Sequence, residues 1–152
     1  MTHGAAALAQ LDALPAWEAG FVRHVRMWSG GAVGAAQVMQ DYGARLPEGS
    51  ALQANQALGQ FLAALSQAAL RPLVLRTQAC RCAGADECVV LHIVRTASDG
   101  QLTDAAMVAA LVARPAEAER LALMAGEVGT NARHISAPLP GPFPTRLAQR
   151  LH

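Results

Sequence analysis

Helical periodicity, interrupted at intervals by proline and glycine, is the feature that most constrains the fold of this chain. Apolar residues recur every three or four positions in successive segments between Leu14 and Gly129, and most of these segments end at a proline or a glycine. This pattern predicts amphipathic helices that each bury one face. Alanine, which favours helix and packs closely, supplies much of the apolar content. We therefore predict a single all-α domain over residues 1–129, an irregular or orthogonal bundle of five to six helices.

Proline, glycine and capping residues also predict where the helices begin and end. The predicted boundaries are a start at Leu14–Pro15, a break at Ser29–Gly31, a stop at Pro47–Gly49 with an N-cap at Ser50, an ordered connector over Leu73 to Ala83, caps at Gly84 and Asp86, and final helices over Thr103 to Ala113 and Pro115 to Gly129. Prolines at alternate positions from Pro138 to Pro144 predict an extended, proline-rich tail over residues 130–152. Such a tail is either a loosely docked terminus or a docking peptide for a partner.

The charge and the apolar distribution of the chain exclude several classes of function. All twelve basic residues are arginines, as is typical of GC-rich bacterial genomes, and eleven acids reduce the net charge to +1. Nearly neutral charge argues against nucleic-acid binding, and no uninterrupted apolar run long enough for a membrane helix is present. The first residues lack the basic and apolar regions of a secretory signal. We therefore expect a cytoplasmic protein with reduced or metal-bound thiols.

The segment from Cys80 to His92 contains all three cysteines of the chain. Cys88 and His92 are four positions apart on one predicted helix and therefore share a face. Cys80 and Cys82 are two apart, which in an extended loop directs both sulfurs to the same side. Thiolate and imidazole are zinc ligands, so these four residues predict a structural Cys3His zinc site. The C-x-C spacing is less typical of zinc than paired C-x2-C knuckles.

The same cysteines are open to two other interpretations. Cys88 lies near a predicted helix N-terminus, which favours thiolate, and Cys80 or Cys82 is then a resolving partner for reversible disulfide chemistry. Asp86 and Glu87 oppose this because they destabilise a neighbouring anion. In the third interpretation, cysteine acts only as a small buried apolar residue with no chemical task, and this is the simplest of the three.

The remaining ionisable residues predict little chemistry. Asp86 and Glu87 are most simply a helix cap and a partner for the helix dipole. His24 lies beside Arg23 and Arg26, on the face away from the tryptophan-bearing side of its helix, which predicts a solvated position. The last two predicted helices resemble a helix-turn-helix, but glutamates dominate the second of them, which is unfavourable beside phosphates.

Several short motifs resemble a group of small helical proteins from alphaproteobacteria, marked by a C-x-C-x-G-A-D-E segment. The motifs are Leu70-Arg71-Pro72-Leu73, Cys80-x-Cys82, Gly84-Ala85-Asp86-Glu87 and a helix ending near Leu111 to Pro115. The resemblance extends from Trp17 to Val128. It implies a helical fold and no particular activity, and it implies that Cys80 and Cys82 are more constant in the group than Cys88.

The absence of a catalytic motif in the sequence favours a non-enzymatic function. We predict a protein-interaction or regulatory module whose partner is another protein or a second copy of the chain, with or without a stabilising zinc ion. The alternative from a different class is a thiol-dependent redox enzyme or sensor that uses Cys88 with Cys80 or Cys82.

Overall fold

A computed structural model describes residues 9–136 as an all-α bundle, which confirms the predicted fold class. Two very short strands, β1 (Ala9–Gln10) and β2 (Cys82–Ala83), pair in antiparallel register. No helix within residues 9–136 combines the length and the apolar composition that crossing a membrane requires. The six helices are α1 (Ala16–Ser29), α2 (Ala32–Arg45), α3 (Glu48–Ala68), α4 (Ala85–Ser98), α5 (Leu102–Val112) and α6 (Ala118–Ser136).

The last helix, α6, is the central element of the bundle. It contacts each of the other five helices, and its buried positions are mostly small residues. Small side chains allow the neighbouring helices to approach closely, so the alanine-rich composition is used for helix packing. The buried residues of α6 are Ala118, Leu121, Ala122, Ala125, Val128, Gly129, Ala132 and Ile135.

The predicted end of the final helix at Gly129 is wrong, because α6 continues to Ser136. Gly129 is buried where α6 crosses α4. A Cβ atom at Gly129 would lie 2.6 Å from the Cβ of Ser98 and 2.8 Å from the carbonyl oxygen of Val94. This glycine therefore permits close helix packing and is not a stop signal. The rest of the predicted tail, residues 137–152, lies outside the described residues.

Prolines mark two of the helix starts. The predicted start at Pro15 is confirmed, since Pro15 directly precedes α1. The predicted N-cap at Ser50 is wrong, because α3 begins at Glu48 with Pro47 in the capping position. The carbonyl oxygen of Pro47 accepts a hydrogen bond from the amide of Ala51 at 2.8 Å, which closes the first turn. Proline has no amide hydrogen, but before a helix that hydrogen would have no partner within the helix.

The predicted connector between the third and fourth helices is present, and backbone pairing holds it at its start and at its end. At its start, the end of α3 bridges to the end of α5, with the Leu70 amide 2.9 Å from the Val112 carbonyl oxygen. At its end, β2 pairs with β1, and the Leu11 amide donates to the Arg81 carbonyl oxygen. The partner strand for this segment was not evident from the sequence, because two residues are too few to show an alternating pattern.

The predicted solvated position of His24 is wrong, because the residue is buried between α1 and α2. Its Nε2 atom lies 2.9 Å from Oδ2 of Asp41, and its ring meets the ring of Tyr42 edge to face at 5.5 Å between centroids. Both partners lie on the following helix, so the pattern of α1 alone did not reveal them.

Burial raises the pKa of Tyr42 to about 12, because the ionised phenolate loses its hydration. Tyr42 is the only tyrosine of the chain, so an absorbance titration of tyrosinate reports it without interference. We expect its stabilising effect to be complete below the ordinary pKa of 10.0 and to be lost as the pH rises through about 12. A tyrosinate transition near pH 10 in the folded protein would contradict the burial.

Candidate functional site

The structure places the four predicted zinc ligands along the connector and α4. Cys80 and Cys82 are partly buried at the end of the connector, and the Cys80 thiol lies 3.5 Å from the carbonyl oxygen of Cys82. Cys88 is partly buried in the first turns of α4, and His92 is exposed one turn further along. Within residues 9–136, no three His, Cys, Asp or Glu side chains are grouped so as to hold a metal ion. The four-ligand zinc site stays a prediction, for which metal content of the purified protein is the direct measurement.

A buried ion pair connects α1 with the start of α4. Nε and Nη2 of Arg26 donate to the two carboxylate oxygens of Glu87 at 2.7 and 2.8 Å. Both side chains are only 1% exposed, so neither charge is solvated by water. The paired geometry fits the planar guanidinium to the carboxylate and compensates for the lost hydration.

The same arginine fixes the backbone that carries two cysteines. Nη1 of Arg26 donates to the carbonyl oxygen of Cys80, and Nη2 donates to that of Cys82, both at 2.7 Å. Arg26 therefore holds three parts of the chain at once: the end of the connector, β2 and Glu87 of α4. The position of the cysteine segment depends on a residue of α1 that is distant from it in sequence.

The two carboxylates of the Gly84-Ala85-Asp86-Glu87 motif hold the connector against α4. Asp86 accepts two hydrogen bonds from Arg71, at 2.7 and 2.9 Å, and a third from the Val74 amide at 2.7 Å. Glu87 accepts from the Gly84 amide at 3.0 Å and from the Arg76 amide at 3.3 Å. Gly84 is the N-cap, as predicted, whereas the prediction of Asp86 as a cap is wrong, because Asp86 lies inside the first turn of α4 and bonds the connector. The motif thus anchors the backbone of the connector to α4, and the capping of α4 is one part of this anchoring.

These contacts lower the pKa of both carboxyl groups. The hydrogen bonds from Arg71 are the main cause for Asp86. For Glu87, burial raises the pKa, but the hydrogen bonds from Arg26, Gly84 and Arg76 outweigh it and the pKa is lowered. Both groups are therefore ionised at neutral pH and serve as permanent hydrogen-bond acceptors, and neither has the raised pKa of a general acid.

A cavity of about 470 Å³ lies beside the connector. Its lining includes Cys80, Arg71 and Arg76 and the first residues of α4. A backbone hydrogen bond at Cys82 and the nearby charge of Arg76 lower the pKa of the Cys80 thiol. Burial and the charge of Glu87 raise the pKa of Cys88. The thiol most easily ionised of these two is Cys80, whereas the sequence had pointed to Cys88.

Timed alkylation distinguishes the two thiols. We expect Cys80 to react with iodoacetamide faster than Cys88 at neutral pH, because only the thiolate attacks and more of Cys80 is ionised. Peptide mass spectrometry after short reaction times measures both rates in one sample. Replacing Arg76 with glutamine should slow the alkylation of Cys80 and leave the rate at Cys88 unchanged. Faster alkylation of Cys88 than of Cys80 in the wild type would contradict the assignment of Cys80 as the more easily ionised thiol.

A second feature lies on α5 and the first turns of α6. Only Ala105 and Ala109 of α5 are buried, and the larger apolar residues of this helix are partly or largely exposed. Met107 and Leu111 on α5 and Leu123 on α6 are 66%, 73% and 62% exposed. We call the surface formed by these three residues with Leu102, Ala106 and Ala110 the apolar face.

The apolar face surrounds a shallow groove of about 460 Å³. The polar lining of the groove is limited to Thr103 and Glu119, and its apolar lining includes Leu102, Ala106, Met107, Ala110 and Leu123. The signal in the sequence was the absence of a polar face on α5, whose eleven residues carry a single charge, at Asp104. A helix that is apolar on every side is ordinarily buried on every side.

No family model, curated protein or solved structure matches this chain.

Proposed function

We propose that the protein is a non-enzymatic protein-interaction module and that the apolar face is its contact surface. The observation that carries the proposal is the exposure of Met107, Leu111 and Leu123 on two adjacent helices. Met107 and Leu123 line the same groove, and Leu111 lies one helical turn after Met107. Isolated apolar residues are normal on protein surfaces, but a contiguous group of large ones marks a site of contact.

The energy available from covering this face is sufficient for association. Each of the three side chains would contribute about 1–2 kcal/mol when a partner removes its exposed part from water. Together with contacts in the neighbouring groove, these contributions are comparable to the binding free energy that a few central residues supply in known interfaces. The same exposure in a protein with no partner would be an aggregation liability.

The chemistry of the groove supports a protein partner over a polar small molecule. Thr103 and Glu119 are its polar lining residues, and Glu119 is exposed at the edge. A site for a polar metabolite needs several converging hydrogen-bonding groups, whereas an apolar surface with a few polar residues at its edge is typical of protein interfaces.

Site-specific photo-crosslinking tests the proposal. We expect a benzophenone amino acid at Leu111 to form adducts of higher mass in cells that express the chain, because this position is covered by a partner. The matched control is Val33 on α2, which is 88% exposed but lies outside the apolar face. Equal labelling from both positions, or none from Leu111, would refute the proposed contact surface.

Thiol chemistry at Cys80 is the second candidate, favoured by the cavity beside it and by its lowered pKa. In this scheme the Cys80 thiolate attacks the O–O bond of a hydroperoxide, forming a sulfenic acid and releasing an alcohol or water. Cys82 then displaces water from the sulfenic acid and forms a disulfide. Loss of peroxide consumption in Cys80→Ser, with retention in Cys88→Ser, is the result that this candidate requires.

A further inference from the structure

Resting on the proposed function, we infer that the partner of the apolar face is a second copy of this chain, joined through antiparallel packing of the two α5 helices about a twofold axis. The inference follows from the shape of the face and from the placement of charge along α5.

The shape of the apolar face is self-complementary. Met107 and Leu111 are four positions apart and form a ridge, while Ala106 and Ala110 form a parallel row of small residues beside it. The groove over the small residues has a volume of about 460 Å³, which admits large side chains. A second copy supplies both a ridge for this groove and a groove for this ridge, as a twofold interface requires.

The length of α5 sets the register of such a pair. The helix runs from Leu102 to Val112, so its midpoint lies at Met107. In an antiparallel pair centred there, the start of each helix lies beside the end of the other. Asp104 of one copy then lies level with Ala110 of its partner, and the two Asp104 carboxylates stay apart.

The charges at the two ends of α5 favour the antiparallel orientation. Asp104 lies in the first turn, and Arg114 follows the last turn. Arg114 donates through Nη1 to the Gln67 carbonyl oxygen, and its guanidinium has four further N–H donors. Antiparallel packing brings each Asp104 towards the partner's Arg114 and aligns the two helix dipoles favourably, whereas parallel packing brings like charges together.

Sedimentation velocity of the full chain over a wide concentration range tests the inference. We expect a monomer–dimer equilibrium whose dissociation constant rises at least about tenfold in Leu111→Arg and in Met107→Arg, since each change places a charge in the apolar contact. Val33→Arg adds the same charge at an apolar position outside the face and should leave the constant unchanged. Circular dichroism confirms that each variant remains helical.

Exchanging the charges at Asp104 and Arg114 provides a test whose expected result cannot arise from loss of folding. Asp104→Arg alone should weaken the dimer, and combining it with Arg114→Asp should restore most of the affinity, because the two opposite charges are then exchanged. A double variant no tighter than Asp104→Arg would overturn the antiparallel arrangement.

The crosslinking at Leu111 separates failure of this inference from failure of the proposed function. An adduct of twice the monomer mass supports the second copy. A chain that stays monomeric at every concentration, with a Leu111 adduct to another protein, overturns the inference and leaves the proposed contact surface standing. A crosslink from Leu111 to residues 137–152 of the same molecule overturns both.

Discussion

Replacing Glu87 with glutamine is expected to lower the free energy of unfolding by about 3–5 kcal/mol, the usual cost of leaving one member of a buried ion pair without its partner. Glu87 and Arg26 are both shielded from water, so the remaining guanidinium would be a buried charge facing a neutral amide. Because Arg26 also holds the Cys80 and Cys82 carbonyl oxygens, the connector should loosen in the same variant. Urea unfolding, with the midpoint and the slope fitted separately, measures the effect.

An exposed pair provides the matched control for Glu87→Gln. Nη2 of Arg23 lies 3.7 Å from Oδ1 of Asp12, and both side chains are largely solvated. Asp12→Asn should therefore lower the free energy of unfolding by less than about 1 kcal/mol. Acid titration adds a second readout. The lowered pKa of Glu87 stabilises the wild type above the ordinary pKa of 4.5, and this stability is lost as the pH falls through the folded-state value. The variant should lose that part of the pH dependence, and a cost no larger than that of Asp12→Asn would show that the pair is not a stabilising element.

Replacing Gly34 with alanine is expected to destabilise the protein by about 3 kcal/mol or more, because it overpacks a contact with rigid backbone. A Cβ atom at this position would overlap the carbonyl oxygen of Met27 and lie 2.7 Å from its carbonyl carbon. Neither atom belongs to a flexible side chain, so α1 and α2 would have to separate. Thermal and urea unfolding measure the loss.

Gly43 on the same helix provides a control with the opposite sign. No heavy atom lies within 4 Å of a Cβ built there, so Gly43→Ala should stabilise the protein by about 0.5–1 kcal/mol through helix propensity alone. If the two substitutions change the free energy of unfolding in opposite directions, the close contact between α1 and α2 lies at Gly34. A stabilising Gly34→Ala would instead mean that the two helices are further apart than described.

Much of the fold was predictable because local signals suffice for helices. The spacing of Trp17, Phe21 and Val25, together with Pro15 before them, predicted α1, and each later helix had a similar stripe or a similar boundary. Gly129 misled the prediction because a glycine that ends a helix and a glycine that admits a neighbouring helix are identical in sequence.

The site was less predictable because its contacts join distant residues. Arg26 and Glu87 are 61 positions apart, and no property of either residue's own neighbourhood indicates the other. The sequence directed attention to the cysteines of the segment around Cys80, but the residues of that segment with the most hydrogen bonds are the two carboxylates. The apolar face was missed because the smallest residues of α5 face inward, the reverse of the usual assignment of large residues to the core.

The central position of α6 has a consequence for the order in which the molecule acquires its structure. Every other helix contacts α6, yet α6 is the last helix of the bundle to be synthesised. Until the ribosome has made it, the preceding helices lack their common packing partner, and contacts such as α1 with α6 close loops of roughly a hundred residues. We therefore expect nascent chains that stop before α6 to be sensitive to proteases, and the released protein to fold in one cooperative step.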